Sequence, residues 1–183
     1  MARRRYPRPR RTTAMRLAAA LVLTAIAAWQ VFVEDRQPPG PLEPGAVALV
    51  ERVIDGDTIV ISGGVHVRLL GVDTPETKRP HTPVQPFGPE ASEFTRSHVD
   101  GRRVRLEFDK ERYDKYDRVL AYVYLDDWFL NEELIRAGLG RAITNHPYSE
   151  AMKRRFRAAE REAKNERLGI WGSEDRGQRW HKY

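Results

Sequence analysis

Between Ala46 and Val72 the chain strings together three short β-rich runs, "AVALVERVI", "TIVISG" and "VHVRLLGV", with little between them but Asp-Gly and Gly-Gly. Gly63–Gly64 is a hairpin signal, and the third run alternates before turning apolar, as a strand does on becoming buried. A stretch with five prolines follows (Pro75, Pro80, Pro83, Pro86 and Pro89) and is expected to be a long loop. "EASEFTRSHVDG" has helical spacing, with Ala91, Phe94 and Val99 on one face and Gly101 as the stop. "RRVRLEFD" and "DRVLAYVYLDD" alternate like half-buried strands, the second ending in an Asp126–Asp127 turn. "NEELIRAGLGRA" predicts a short helix capped by Asn131 and ended by Gly138 and Gly140. Residues 148–169 predict a long amphipathic helix, with Ser149 as cap and Met152, Phe156, Ala159 and Ala163 as its apolar stripe. Ile170–Trp171 is expected to fold back as an anchor. About five short strands, with a helix inserted after the third, describe an α+β domain: a small closed barrel of OB type with helices packed on it.

The charge is unevenly placed. Residues 1–33 hold seven arginines and no acid, while residues 34–183 hold 25 basic and 26 acidic residues. The high isoelectric point therefore belongs to the N-terminal region and does not mark the folded part as a DNA-binding surface. Residues 1–16 are basic, and residues 17–33 run without a charge. The pair reads as an export signal or a membrane anchor, an N-terminal hydrophobic helix with its arginine end in the cytoplasm. Seventeen residues are at the short limit for a span. "AIA" at 25–27 offers a cleavage site, whereas the apolar continuation through Trp29, Val31, Phe32 and Val33 favours an uncleaved anchor. A proline-rich linker at 34–45 separates this region from a domain at 46–172, and a polar tail occupies 173–183. The domain is expected to be extracytoplasmic, either tethered or secreted. With no cysteine, disulfides and thiolate metal sites are excluded.

In "VIDGDTIV" two carboxylates, Asp55 and Asp57, flank Gly56 inside a β-forming segment. Asp-Gly is a turn dipeptide, and Asp55 can bond its own backbone. Asp57 sits where the strand restarts, and a carboxylate there is costly unless a cation or donor meets it. "RLLGVDTPET" brings Arg68, Asp73, Thr74 and Glu76. Each is explicable alone, as a turn or an Arg68–Asp73 pair. Together, Asp57, Asp73 and Glu76 crowd three carboxylates with one arginine into twenty residues. Like charges raise each other's pKa, and a hard divalent cation such as calcium resolves the conflict with oxygen ligands. Strict alternation would put Arg68 and Asp73 on opposite faces, so they meet only if the strand bends or ends near Gly71. "FDKERYDKYDRVLAY" interleaves Lys110, Arg112, Lys115 and Arg118 with Tyr113 and Tyr116. Most of these charges read as a solvated hairpin loop. Arg118, opening a strand, is better placed, and its fork suits bidentate phosphate binding. The five histidines show no ligand-like spacing.

"VIDGDTI", "RLLGVDTPET", "FGPEASEFT", "FDKERYDKYDRVLAYVY", "NEELIRAGL" and "GIW", in that order, closely resemble the staphylococcal nuclease family from about Val50 to Trp171. The resemblance implies an OB-type barrel with three helices and a calcium-dependent phosphodiesterase. That enzyme would act on DNA and RNA with little sequence preference and leave 3′-phosphate ends. It implies Asp57 and Asp73 as calcium carboxylates, with Thr74 offering its backbone carbonyl. Glu76 would be the general base or the residue that orders the attacking water. Arg68 and Arg118 would bind phosphate, and Lys115 and Tyr116 would contact substrate. Two stretches depart from the family pattern. Asp117 replaces a glycine just before Arg118, and Thr144 and His146 stand where the family has base-stacking tyrosines. The alternative is a binding module of the same fold for nucleic acid or protein; retention of Asp57, Arg68, Asp73, Glu76 and Arg118 favours the enzyme. A monomer is expected.

Overall fold

The computed structural model describes residues 21–26, 29, 42–77 and 84–172. The chain divides into two units, residues 1–37 and 38–183. In the first, residues 21–26 are helical and exposed. No helix among the described residues is long and apolar enough to cross a membrane. The anchor or signal expected over 17–33 falls largely outside the described residues, as do the basic region, most of the linker, residues 78–83 of the proline-rich loop and the tail.

The second unit is built around β1 (Ala46–Asp55), whose ten residues serve two partners. Its first half pairs antiparallel with β5 (Arg103–Glu107), and its second half with β2 (Thr58–Ile61). Register shifts between Val50 and Arg52 and between Val53 and Asp55 bend the strand from one partner to the other. β2 pairs antiparallel with β3 (Val65–Leu69), and β5 with β6 (Val119–Leu125). Parallel pairing of β3 with β6 then closes a five-stranded barrel. The short strand β7 (Trp128–Phe129) folds back on β6 through Asp126–Asp127, and β4 (Val72–Asp73) pairs with β8 (Arg141–Ala142). Alternating side chains such as Val50, Ile59, Ile61, Val67, Leu69, Leu106 and Val123 fill the interior.

Three helices pack on this barrel: α1 (Gly88–Val99), α2 (Leu130–Arg136) and α3 (Glu150–Asn165). Three sequence expectations change. On α1 the buried face carries Ala91, Ser92, Thr95 and Val99, while Phe94 is only partly buried and packs against His98 and Trp128. Asn131 does not cap α2, because Phe129 holds the N-cap position. Asn131 is instead fully buried; it accepts from Val123 N at 2.9 Å and donates to Leu70 O at 2.9 Å and Ala121 O at 3.3 Å. A buried amide left unpaired costs about 1–3 kcal/mol, and this one is fully used: it links the middle of β6 to the residue that follows β3. Ser149 stands at the N-cap of α3, yet its side chain makes no cap bond. Its backbone N–H donates to Asp109 Oδ2 at 3.0 Å, which pins the helix to the segment following β5. Phe156, Ala159 and Ala163 are buried as expected, and the anchor Gly169–Trp171 turns back so that Ile170 N donates to Gly138 O at 2.9 Å.

Candidate active site

The turn between β1 and β2 is pressed against α1. A Cβ on Gly56 would stand 2.7 Å from Ala91 Cβ and 2.8 Å from Thr74 Oγ1, so no larger residue fits. Thr95 Oγ1 donates to Gly56 O at 2.6 Å. Beside it, Asp55 does more than serve its own turn. Its Oδ1 accepts from Gly56 N (2.9 Å), Ser92 Oγ (2.9 Å) and Thr77 Oγ1 (3.1 Å), and its Oδ2 accepts from Thr77 N (3.3 Å). One carboxylate thus ties the turn, α1 and the segment after β4 together. That segment is held again by Gln85, whose Oε1 accepts from Glu76 N at 2.9 Å and whose N donates to Glu76 O at 3.0 Å. Glu76 is therefore mounted on a backbone fixed from both sides.

Asp57 is buried, with 7% of its surface exposed. Its Oδ1 accepts from Thr58 Oγ1 at 3.0 Å, and its Oδ2 accepts from Thr74 N at 2.8 Å and lies 2.5 Å from Arg68 Nη1. Arg68 stands opposite Thr58 in the β2–β3 ladder, next to Asp57. Its Nη1 also donates to Asp57 O, and its Nη2 donates to Asp73 Oδ1 at 3.0 Å. The two carboxylates thus share one guanidinium. Gly71 makes this possible: its φ of +79° turns the chain between β3 and β4, and a Cβ there would strike Phe156 Cε2 at 2.6 Å. Among the described residues no group of three or more acids and histidines forms a metal-ligating cluster.

Arg118 lies one residue before Val119, which pairs with Val67 in the parallel β3–β6 ladder, so it enters β6 on the strand next to the one that carries Arg68. Asp114 fixes it. Asp114 Oδ2 accepts from Arg118 Nε at 2.7 Å and lies 2.6 Å from Nη2, while its Oδ1 accepts from Tyr116 N (2.8 Å) and Arg118 N (3.0 Å). Burial pushes the Asp114 carboxyl up, but these bonds and the guanidinium charge outweigh it and hold the group below the usual carboxylate range. Asp117 occupies the left-handed region, φ +58°, and its N–H donates to Asp114 O. Lys115 and Tyr116 stand on the same turn. Tyr116 is 67% exposed, with Lys115 Nζ 4.9 Å and Arg118 Cζ 5.5 Å from its ring centre.

Residues 66–173 match the family model for staphylococcal nuclease homologues. The chain belongs to the staphylococcal nuclease family. It is 49% identical over 130 residues to the thermonuclease of Staphylococcus intermedius, covering 69% of this chain and 77% of that protein. It is 45% identical over 130 residues to the thermonuclease of Staphylococcus hyicus, covering 68% and 75%. Endonuclease YncB of Bacillus subtilis is 46% identical over 126 residues, covering 67% of this chain and 60% of that protein. The protein is a nuclease, a hydrolase with nucleic acid as its substrate.

In this nuclease the segment after β8 carries one tyrosine, Tyr148, and it turns inward: 1% exposed, with its hydroxyl donating to Ile143 O. Burial pushes its phenol up to about 12. Thr144 is partly buried and His146 exposed, so this segment presents no aromatic side chain but the histidine to solvent. Asp109 accepts from Ser149 N and from Tyr122 Oη at 2.8 Å; burial raises its carboxyl, and these bonds overcome that and lower it. Sequence reasoning missed the positioning roles of Asp55, Gln85 and Asp114. Only Asp114 left a signal, an acid four residues before an arginine.

Proposed function

We propose that this nuclease hydrolyses phosphodiester bonds of DNA and/or RNA in a calcium-dependent reaction with little sequence preference. The observation that carries the reading is the sharing of Arg68 by Asp57 and Asp73 at the junction of β2, β3 and β4. The donor set suits a hard cation. All candidate ligands are oxygens, and two carboxylates against one guanidinium leave negative charge in excess. Thr74 Oγ1, next to the amide that bonds Asp57, is a buried hydroxyl with no hydrogen-bond partner. Asp57, Asp73 and the Thr74 carbonyl would hold the ion, with water completing its shell. A bound divalent cation supplies Lewis acidity and a template for the phosphate oxygens.

The chain's own groups do the rest. Arg68 and Arg118 meet the negative charge that builds on the phosphoryl oxygens. Glu76 aligns the attacking water or takes its proton. Lys115 and Tyr116 hold flanking substrate. Contacts to phosphate carry no base information, which accounts for the weak sequence preference. Cleavage would leave 3′-phosphate ends. On this reading residues 17–33 anchor the protein to a membrane or direct its export, residues 34–45 are the linker, and 46–172 form an extracytoplasmic, monomeric nuclease domain. The seven arginines before a charge-free run support that orientation.

The test is cleavage of single-stranded DNA by the full chain with calcium, with chelator, and with Glu76→Gln. Cleavage that needs calcium and collapses in a folded Glu76→Gln protein is expected. Cleavage indifferent to chelator removes the calcium assignment, and full activity in the variant removes the role of Glu76.

A further inference from the structure

Residues 46–172 hold equal numbers of basic and acidic residues, 21 of each, so the domain has no net charge with which to attract a polyanion. The charge is nevertheless polarised. Helix α3 alone holds six cations and three acids, a net of +3 set against −3 on the rest of the domain. Three of its cations are occupied: Lys153 pairs with Glu150 (2.8 Å), Arg155 with Glu132 (2.5 Å) and Lys164 with Glu160 (2.6 Å). Arg154, Arg157 and Arg161 are exposed and pair with no carboxylate among the described residues. Their spacing of three and four residues puts them on one side of the helix, opposite the buried Phe156, Ala159 and Ala163.

We propose that this arginine stripe is a second contact surface for the nucleic-acid substrate, a track for backbone phosphates outside the catalytic cluster. It rests on the nuclease assignment and extends it to long substrates. From Arg154 to Arg161 the helix rises about 10 Å, the axial advance of about three nucleotides of one strand. Guanidinium groups that no carboxylate holds in an ion pair keep their forks open for bidentate phosphate contacts, although the Arg157 charge also acts on Glu150 at longer range. The stripe is also tied to the site. The Ser149–Asp109 bond sets the start of α3 against the start of the segment bearing Lys115, Tyr116 and Arg118. The exposed cation Lys110 lies in that junction, within electrostatic reach of Glu150.

The experiment compares the full chain with its Arg154→Ala/Arg157→Ala/Arg161→Ala variant. Binding of a labelled single-stranded 30-mer in chelator reads the surface without turnover. The variant is expected to bind about tenfold more weakly at low salt, with a log–log salt slope shallower by about 2. The ratio of kcat/KM on the 30-mer to that on a dinucleotide falls by a similar factor. Arg→Lys at all three positions restores most of both. Unaltered 30-mer binding and an unaltered ratio overturn the proposal, and so does an equal loss on both substrates, which marks damage to the site. Loss of binding to anionic phospholipid vesicles, with nucleic-acid binding intact, overturns it in favour of a membrane-facing surface. Intact binding differences in a protein that cleaves neither substrate would sink the nuclease reading while leaving the stripe standing.

Discussion

Arg68 and Arg118 carry the same guanidinium on the paired strands β3 and β6, the second just ahead of its strand, yet they are mounted in opposite ways. Arg68 projects from a barrel strand, with 13% of its side chain exposed, and is gripped by two carboxylates from different segments. Arg118 follows a left-handed turn, is 30% exposed, and is held by one acid from its own loop. The first mounting makes the arginine part of the fold. Removing it strands Asp57 in the interior. The second makes the arginine an appendage whose orientation is local and whose loss the barrel tolerates. Sites of this kind divide labour: one charge is fixed by tertiary structure and one by a short turn.

The sharpest way to break the comparison is Arg68→Ala. Leaving the buried Asp57 without its partner should cost about 3–5 kcal/mol of stability, read by urea unfolding. A loss under about 1 kcal/mol would show that the two mountings are energetically alike.

Next in size is the pair Arg118→Ala and Asp114→Asn. Arg118→Ala should lower kcat/KM by about a hundredfold while changing stability by no more than about 1 kcal/mol. Asp114→Asn tests the clamp through pH. Because the folded state holds this carboxyl below its ordinary range, the stability it contributes is present above about pH 4 and is lost as pH falls through the lower folded value. The variant should therefore be less stable at neutral pH and lose less on acidification than the parent. Identical acid limbs would remove Asp114 as the group that fixes Arg118.

The smallest effect is expected from Asp117→Gly. Relief of a left-handed residue is worth about 1 kcal/mol and is offset by the added freedom of the unfolded chain. A gain of a few tenths of a kcal/mol in thermal or urea unfolding is expected, with KM for nucleic acid unchanged. A large KM change would mean that the Asp117 carboxylate acts on substrate.

What was legible beforehand followed from local rules. The alternation of Val50, Ile59, Val67 and Leu106 marked strands, and Phe156, Ala159 and Ala163 marked the face of α3. The motif order pointed to the family and to which arginines and carboxylates belong to the candidate site. Alternation lets Arg68 meet Asp73 only if the chain bends near Gly71, and the positive φ of Gly71 supplies that bend. Asn131 looks locally like a cap and Asp55 like a turn residue; Asp55 does bond its own turn, but burial also commits both side chains to distant segments. Asn131 reaches Leu70, 61 residues away, and Asp55 reaches Ser92, 37 away.

By itself the sequence determined the elements, the family and the identity of the charged groups, because periodicity, turn chemistry and motif order act over a few residues. Only the tertiary structure decided which carboxylate shares which guanidinium, which polar side chains are spent on holding segments together, and which arginines of α3 are left unpaired. Those outcomes depend on which groups lose their water together when the barrel closes, and no local pattern encodes that.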